Sequence, residues 1–329
     1  MSLRVVRTTI FPQAPESTLP EERRILGAVD AVVEPVQPGS SDDLFAAVRG
    51  AHGLITAGVN LKITDAIMDA MPDCRGIVTA TVGFDHIDLP AAARRGIPVA
   101  HVPDFCTREV ADQTMALLLA CVRKLVLLDR AMRAGIWDRA MFFPMEPLYG
   151  KTLGIVGLGR IGRQVARRAR AFDLRLLATD PYVDQATAAA HDAELVRLGR
   201  LLRESDIVSV HTPLTSETRH LLSADEFGVM KPTAIVLNTA RGPVIDEVAL
   251  IQALRGGRIG GAGLDVFERE PVAVDNPLLA MDNVVVSPHA GGYSEESTRT
   301  VRRSAAEEMA RMLRGEPPRN PVIRDVTER

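Results

Sequence analysis

The chain has 329 residues, a formal net charge of −3 and a sequence pI of about 6.2. At roughly 100–200 residues per domain, that length predicts two domains that need no disulfide or metal staples. The charge balance gives no case for nucleic acid or an anionic membrane as a partner, and 46% hydrophobic with 25% charged residues is ordinary globular composition.

Up to about residue 100, short apolar runs alternate with helical stretches. Leu3–Val6, Ala31–Val36, Gly53–Thr56, Gly76–Thr79 and Pro98–His101 read as strands, with helices over Ser41–Arg49 and Thr64–Met71. Ser41 and Thr64 stand as N-caps ahead of apolar periodicity. Such alternation predicts a parallel sheet with helices on both faces. This stretch carries no glycine fingerprint. Asp104–Ala134 reads as one long helix leading into an apolar loop, Trp137–Leu148. That pair is either a hinge and interface or a plain core helix with its connection. Arg123-Lys124 interrupts its most apolar part, so it cannot span a bilayer.

The stretch Leu153-Gly154-Ile155-Val156-Gly157-Leu158-Gly159-Arg160-Ile161-Gly162 places G-x-G-x-x-G between an apolar strand and a helix over Arg163–Phe172. Gly157 permits the tight turn, Gly159 lets backbone approach a pyrophosphate, and Gly162 lets helix pack close to strand. The helix N-terminus then offers N–H groups and partial positive charge to the phosphates. A second strand, Arg175–Thr179, ends at Asp180, where a ribose-binding acid is expected. The bland alternative is an ordinary turn with a surface Asp. A carboxylate there accepts bonds from a free ribose 2′-OH and repels a 2′-phosphate, so NAD is expected rather than NADP. Further strands are read at Ile207–His211, Ala234–Asn238, Gly261–Val266 and Val284–Ser287, making six, with a helix at Glu247–Arg255. The last helix, Glu295–Arg314, has no strand left to feed and is expected to cross back to the first domain.

Three polar residues follow successive strand ends, where ligands bind in such sheets: Arg241, Glu270 and His289. A guanidinium, a carboxylate and an imidazole are what carbonyl reduction beside nicotinamide needs. The imidazole exchanges a proton with the developing alkoxide, and the carboxylate orients it. The guanidinium holds substrate oxygens by planar hydrogen bonds. His86, His101, His191, His211 and His220 read as structural, and no His pair has metal-ligand spacing, so no metal is expected. The arginines between Arg160 and Arg175 read as a solvated helix face. Cys74, Cys106 and Cys121 are far apart with no C-x-x-C pair, which fits a reducing cytoplasm. Met1–Arg7 shows no signal-peptide core.

The residues also carry a family resemblance. Gly83-Phe84-Asp85-His86-Ile87-Asp88-Leu89, Val102-Pro103-Asp104 with Glu109-Val110-Ala111-Asp112, the glycine stretch, His211-Thr212-Pro213-Leu214, Asn238-Thr239-Ala240-Arg241-Gly242, Gly263-Leu264-Asp265-Val266-Phe267-Glu268 and Ser287-Pro288-His289 resemble, in order, the D-isomer-specific 2-hydroxyacid dehydrogenase family. The nearest resemblance is to its corepressor-related, C-terminal-binding-protein-like branch, which places a Trp soon after the His where this chain has Gly291-Gly292-Tyr293. The resemblance implies an α/β fold of two doubly wound parallel-sheet domains. A Rossmann NAD-binding domain (103–290) would be inserted in a discontinuous flavodoxin-like substrate domain (1–102 and 291–329), with nicotinamide and substrate in the cleft between them.

It further implies Arg241 as substrate-binding residue, Glu270 as partner carboxylate and His289 as acid/base. Backbone at Arg160 and Ile161 would contact pyrophosphate, Asp180 the adenine ribose, and Thr212 with Pro213 the adenosine. Thr239, Ala240, Asp265 and His289 would contact cofactor, Asp265 at the nicotinamide carboxamide, and backbone at Val82-Gly83 would receive the substrate carboxylate. Specificity would rest on residues 56–60, 82–83 and 137–148. Val82 stands where phosphite dehydrogenases place a Lys, and Glu270 where formate dehydrogenases place a Gln, so neither substrate is expected. No appended regulatory domain of the kind many phosphoglycerate dehydrogenases carry is expected. The expected function is hydride transfer between NAD and C2 of a small 2-hydroxy or 2-keto acid, of glyoxylate/hydroxypyruvate or phosphoglycerate type, by a homodimer. The alternative is an NAD(H)-responsive corepressor-like binding protein.

Overall fold

The computed structural model describes residues 2–8, 19–57 and 61–322. The chain divides into two compact units, residues 1–105 with 294–329, and residues 106–293. The first opens with β1 (Leu3–Thr8), α1 (Leu19–Gly27), β2 (Ala31–Val36), α2 (Ser41–Val48) and β3 (Gly53–Thr56). It continues with α3 (Asp65–Asp69), β4 (Ile77–Thr79), α4 (Leu89–Arg94) and β5 (Val99–His101). All five strands are parallel, in the order β2-β1-β3-β4-β5, the flavodoxin-like arrangement. Alternate strand residues feed opposite faces. Val5, Ile55, Val78 and Ala100 join one cluster, while Val6, Leu54, Ile77 and Val99 join the other.

The second unit begins with α5 (Thr107–Val122) and α6 (Leu125–Arg133). The single helix expected over 104–134 is therefore broken. Lys124 adopts a left-handed backbone (φ 50°), which cannot continue a right-handed ladder, and α6 restarts after it. The dinucleotide-type fold follows: β6 (Thr152–Val156), α7 (Arg160–Ala169), β7 (Arg175–Thr179), α8 (Gln185–Ala189), β8 (Ala193–Leu195), α9 (Leu198–Glu204) and β9 (Ile207–Val210). Then come α10 (Ala224–Val229), β10 (Ile235–Asn238), α11 (Glu247–Arg255), β11 (Gly261–Leu264) and β12 (Val284–Val286). The last helix, α12 (Glu295–Leu313), belongs to the first unit, where Ala305, Ala306, Met309 and Leu313 complete the cluster around Val5 and Ile55.

The second sheet is all parallel, in the order β12-β11-β10-β9-β6-β7-β8. It has seven strands where the sequence suggests six. The additional one, β8, is a three-residue edge strand, Ala-Glu-Leu, paired only to β7, too short and too mixed to show a periodicity. Ile155, Leu118 and Val165 pack on one face of this sheet, and Val208, Val236 and Phe227 on the other. Each such burial stabilises by about 1.5–3 kcal/mol.

The caps show how local chemistry sets helix starts. Thr64 accepts the Ile67 N–H, as expected. At α2 the cap is Ser40 and not Ser41. Ser40 holds the extended backbone outside the first turn, and its hydroxyl accepts the Asp43 N–H at 3.1 Å. No helix among the described residues is long and apolar enough to cross a membrane.

Candidate active site

The turn between β6 and α7 is shaped by its three glycines. Gly157 has φ 94°, and a Cβ there would fall 2.9 Å from the His211 carbonyl. At Gly162 a Cβ would sit 2.2 Å from the Gly157 carbonyl oxygen, so only glycine lets the helix approach its strand so closely. Gly159 is different: a Cβ there would meet nothing within 4 Å. Gly159 is also the N-cap of α7, and no side chain caps that end. Asp180, just past β7, reaches back to this turn. One carboxylate oxygen accepts the Leu158 N–H at 2.8 Å, and the other accepts the Tyr182 N–H at 2.9 Å.

Whether a dinucleotide suits this turn can be judged on its polar atoms. At the end of β9, beside Gly157, His211 Nδ1 and Thr212 Oγ1 are buried and lack a hydrogen-bond partner. His211 Nε2 bonds Ser209 Oγ at 2.8 Å, and burial pushes the imidazole pKa down to about 4. Buried polar atoms left unpaired are costly, so each calls for a partner. Open space at Gly159, an uncapped helix N-terminus and two orphaned polar atoms together fit NAD. Pro213 follows Thr212 and is exposed.

The catalytic candidates stand past β10, β11 and β12, three adjacent strands. After β10, Asn238 folds its side chain over the loop: Oδ1 accepts the Ala240 N–H at 3.0 Å and Nδ2 donates to the Arg241 carbonyl at 3.0 Å. Thr239 Oγ1 bonds Thr114 Oγ1 of α5 at 2.8 Å, and Arg241 Nη1 donates to the Ala240 carbonyl at 2.8 Å. After β11, Glu270 Oε1 accepts the Phe267 N–H at 3.0 Å, and Oε2 meets His289 Nδ1 at 2.7 Å. Burial penalises the Glu270 charge. The His289 bond, the His289 charge, the Phe267 N–H and the Arg241 charge outweigh it, so the carboxyl sits below its usual range.

His289 itself has a left-handed backbone (φ 53°), uncommon for a residue with a side chain. Asp265, 1% exposed, holds that segment. Its backbone carbonyl accepts the His289 N–H at 2.7 Å. Its carboxylate accepts Ser287 Oγ–H at 2.6 Å, the Ala290 N–H at 2.9 Å and the Gly291 N–H at 2.8 Å. Gln113 Nε2 in turn donates to Ser287 Oγ at 2.9 Å. A carboxylate has about four acceptor positions, so three are used within the chain and one remains. A Cβ at Gly291 would sit 2.7 Å from Asp265 Oδ2, which explains why no bulky residue follows His289 there.

Val82 and Gly83 belong to the first unit, in the loop after β4. Thr81 Oγ1 donates to the Gly83 carbonyl at 2.6 Å, and His101 Nδ1 bonds the Val82 carbonyl at 2.8 Å. Both carbonyls are thus engaged by side chains. Of the expected specificity residues, 58–60 lie outside the described residues, and 137–148 form a mostly exposed loop. Sequence reasoning did not find the Asp265–Ser287–Gln113 chain, the orphaned nitrogen of His211, or a bond between His220 and Glu268. None of these left a local signal in the sequence.

A family model described as D-isomer specific 2-hydroxyacid dehydrogenase, NAD binding domain, matches residues 115–291. A glyoxylate reductase of Thermofilum pendens is 40% identical over 98% of this chain and 95% of its own length. A D-3-phosphoglycerate dehydrogenase of Methanocaldococcus jannaschii is 40% identical over 86% of this chain and 54% of its own length. Among solved structures, a D-lactate dehydrogenase from Aquifex aeolicus, complexed with NAD and lactic acid, is 30% identical. It superposes with a TM-score of 0.82 over 95% of this chain and 96% of that one.

Proposed function

The chain belongs to the D-isomer-specific 2-hydroxyacid dehydrogenase family, and from that premise we propose that Arg241, Glu270 and His289 carry its reaction. The protein is an NAD-dependent oxidoreductase that moves a hydride between nicotinamide and C2 of a small 2-hydroxy or 2-keto acid, of glyoxylate/hydroxypyruvate or phosphoglycerate type. The corepressor-like alternative is not favoured, because relatives along the chain are named as reductases and dehydrogenases.

The observation that supports the residue assignment is the 2.7 Å bond between Glu270 and His289 at neighbouring strand ends, with the Arg241 charge close enough to act on Glu270. Nicotinamide, when bound, supplies or accepts the hydride. With Nδ1 committed to Glu270, His289 exchanges its proton with the substrate oxygen through Nε2. Glu270 stays ionised at neutral pH, fixes the ring and stabilises its charge once protonated. Arg241 holds the carbonyl and carboxylate oxygens.

NAD is held at Gly157, Gly159 and Gly162, with backbone N–H groups of Arg160 and Ile161 on the pyrophosphate and Asp180 on the adenine ribose. Thr212 and Pro213 line the adenosine, and Thr239, Ala240 and the remaining acceptor position of Asp265 serve the nicotinamide side. A carboxylate receptor at Val82 and Gly83 rests on the family resemblance. We assign a homodimer to the exposed apolar residues Leu125, Met132, Ile136, Trp137, Phe143 and Tyr149 on α6 and the loop after it, 49–78% exposed. We place the protein in the cytoplasm on the unbridged thiols of Cys74 and Cys121, which burial pushes to about 11 and about 12.

The test is dihydronicotinamide oxidation with glyoxylate, hydroxypyruvate, pyruvate and phosphohydroxypyruvate, using NADH and NADPH. Turnover of at least one acid, with NADH preferred, is expected. NADH binding without turnover of any acid would overturn the reading, and a preference for NADPH would overturn the role of Asp180.

A further inference from the structure

Two His–carboxylate pairs are built on one short strap after β11, residues 267–270. Glu270 Oε2 meets His289 Nδ1 at 2.7 Å, and two residues earlier Glu268 Oε1 meets His220 Nε2 at 2.5 Å. Both histidines have the same left-handed backbone, φ 53°. His220 closes the loop after β9. Its N–H donates to the Pro243 carbonyl at 2.8 Å, two residues beyond Arg241, and Leu222 N–H donates to the Val244 carbonyl at 3.2 Å. The Arg241 loop also lies directly on the strap: a Cβ at Gly242 would fall 1.8 Å from the Phe267 carbonyl oxygen and 2.5 Å from the Glu268 nitrogen. From the other side Glu268 N–H donates to Glu247 Oε2 at 3.0 Å, at the first residue of α11, and Asn276 Nδ2 holds the second Glu247 oxygen at 2.8 Å.

We propose that His220 and Glu268 form a positioning pair for the reaction. Their bond ties the loop after β9 to the strap, and the strap sets the aim of Glu270 on His289 and the seat of the Arg241 loop. The inference rests on the assignment of Arg241, Glu270 and His289 to the chemistry. The pair itself acts on no reacting atom. With side chains 39% and 29% exposed, it is a partly solvated pair of the kind that adds little to global stability. A kinetic effect without a stability effect therefore separates positioning from mere surface pairing.

The experiment compares Glu268→Ala, Glu268→Gln and His220→Ala in the full chain. For the 2-keto acid that the wild type reduces, Glu268→Ala and His220→Ala should lower kcat by about tenfold, because small misplacements of reacting groups are expensive. NADH affinity and Tm should not change. Glu268→Gln should recover most of the rate, since its amide oxygen still accepts the His220 Nε2–H. A second readout needs no turnover: the ring signals of His289 in NMR spectra, identified by their loss in His289→Ala, should move in Glu268→Ala. Wild-type kcat, unmoved His289 signals, or a rate loss matched by lost NADH binding and lowered Tm would each overturn the positioning role. A wild type that reduces no acid sinks the functional reading instead, and the His289 signals still decide the pair.

Discussion

The two ends of the seven-stranded sheet are built by opposite means. Around β6 and β7 the site is made by removing side chains: Gly157 and Gly162 exist because no Cβ fits, and Gly159 leaves space open. Around β10, β11 and β12 it is made by pairing side chains, Glu270 with His289, Glu268 with His220, and Asp265 with the 287–291 segment. The first end suits a ligand that contributes its own charge and hydrogen-bonding atoms, as a dinucleotide does. The second suits chemistry, which needs groups whose protonation and direction the protein itself controls.

The glycine end can be broken in two distinguishable ways. Gly162→Ala pushes a methyl into the Gly157 carbonyl oxygen at 2.2 Å, a backbone atom that cannot swing aside. It should cost about 1–3 kcal/mol in stability and remove NADH binding with it. Gly159→Ala meets nothing. It should leave Tm unchanged yet weaken NADH binding by about tenfold, or ~1.4 kcal/mol, since the added methyl would fill the space that the proposed function gives to the phosphates. Equal losses of Tm in the two variants would contradict the distinction.

An effect of a different kind is expected where the two ends meet, at His211. Burial holds its pKa at about 4, against about 6.5 for an imidazole in the unfolded chain. Below pH 6.5 the unfolded state takes up a proton that the folded state refuses until about pH 4. The stability due to His211 is thus fully present above pH 6.5 and falls across that window, by at most about 1.4 kcal/mol per pH unit. A His211→Asn variant should show a flatter decline of Tm between pH 6.5 and 4. An unchanged profile would mean that the ring is not held neutral by the fold.

How much of this was visible in the sequence follows the same division. Steric demands are local, so the glycine spacing, Asp180 and the strands Ala31–Val36, Gly53–Thr56 and Arg175–Thr179 could be read directly. The break at Lys124 could not, because it depends on a single backbone conformation with no glycine to signal it. Nor could β8, whose three residues gain their structure from the β7 edge. At the catalytic end, the residues past strand ends could be named, but their partners could not. Glu268 finds His220 across 48 positions and Asp265 finds Ser287 across 22, separations fixed by strand order rather than by any local pattern.

In the proposed function His289 handles the proton while the glycine end holds the cofactor independently. The most direct measurement is kcat and NADH affinity in His289→Ala on the same preparation. We expect kcat to fall by about 10²–10⁴, the usual contribution of a general acid–base group, with Tm unchanged and NADH affinity altered far less than the rate. A variant that reduces its 2-keto acid at a near-wild-type rate would contradict the account.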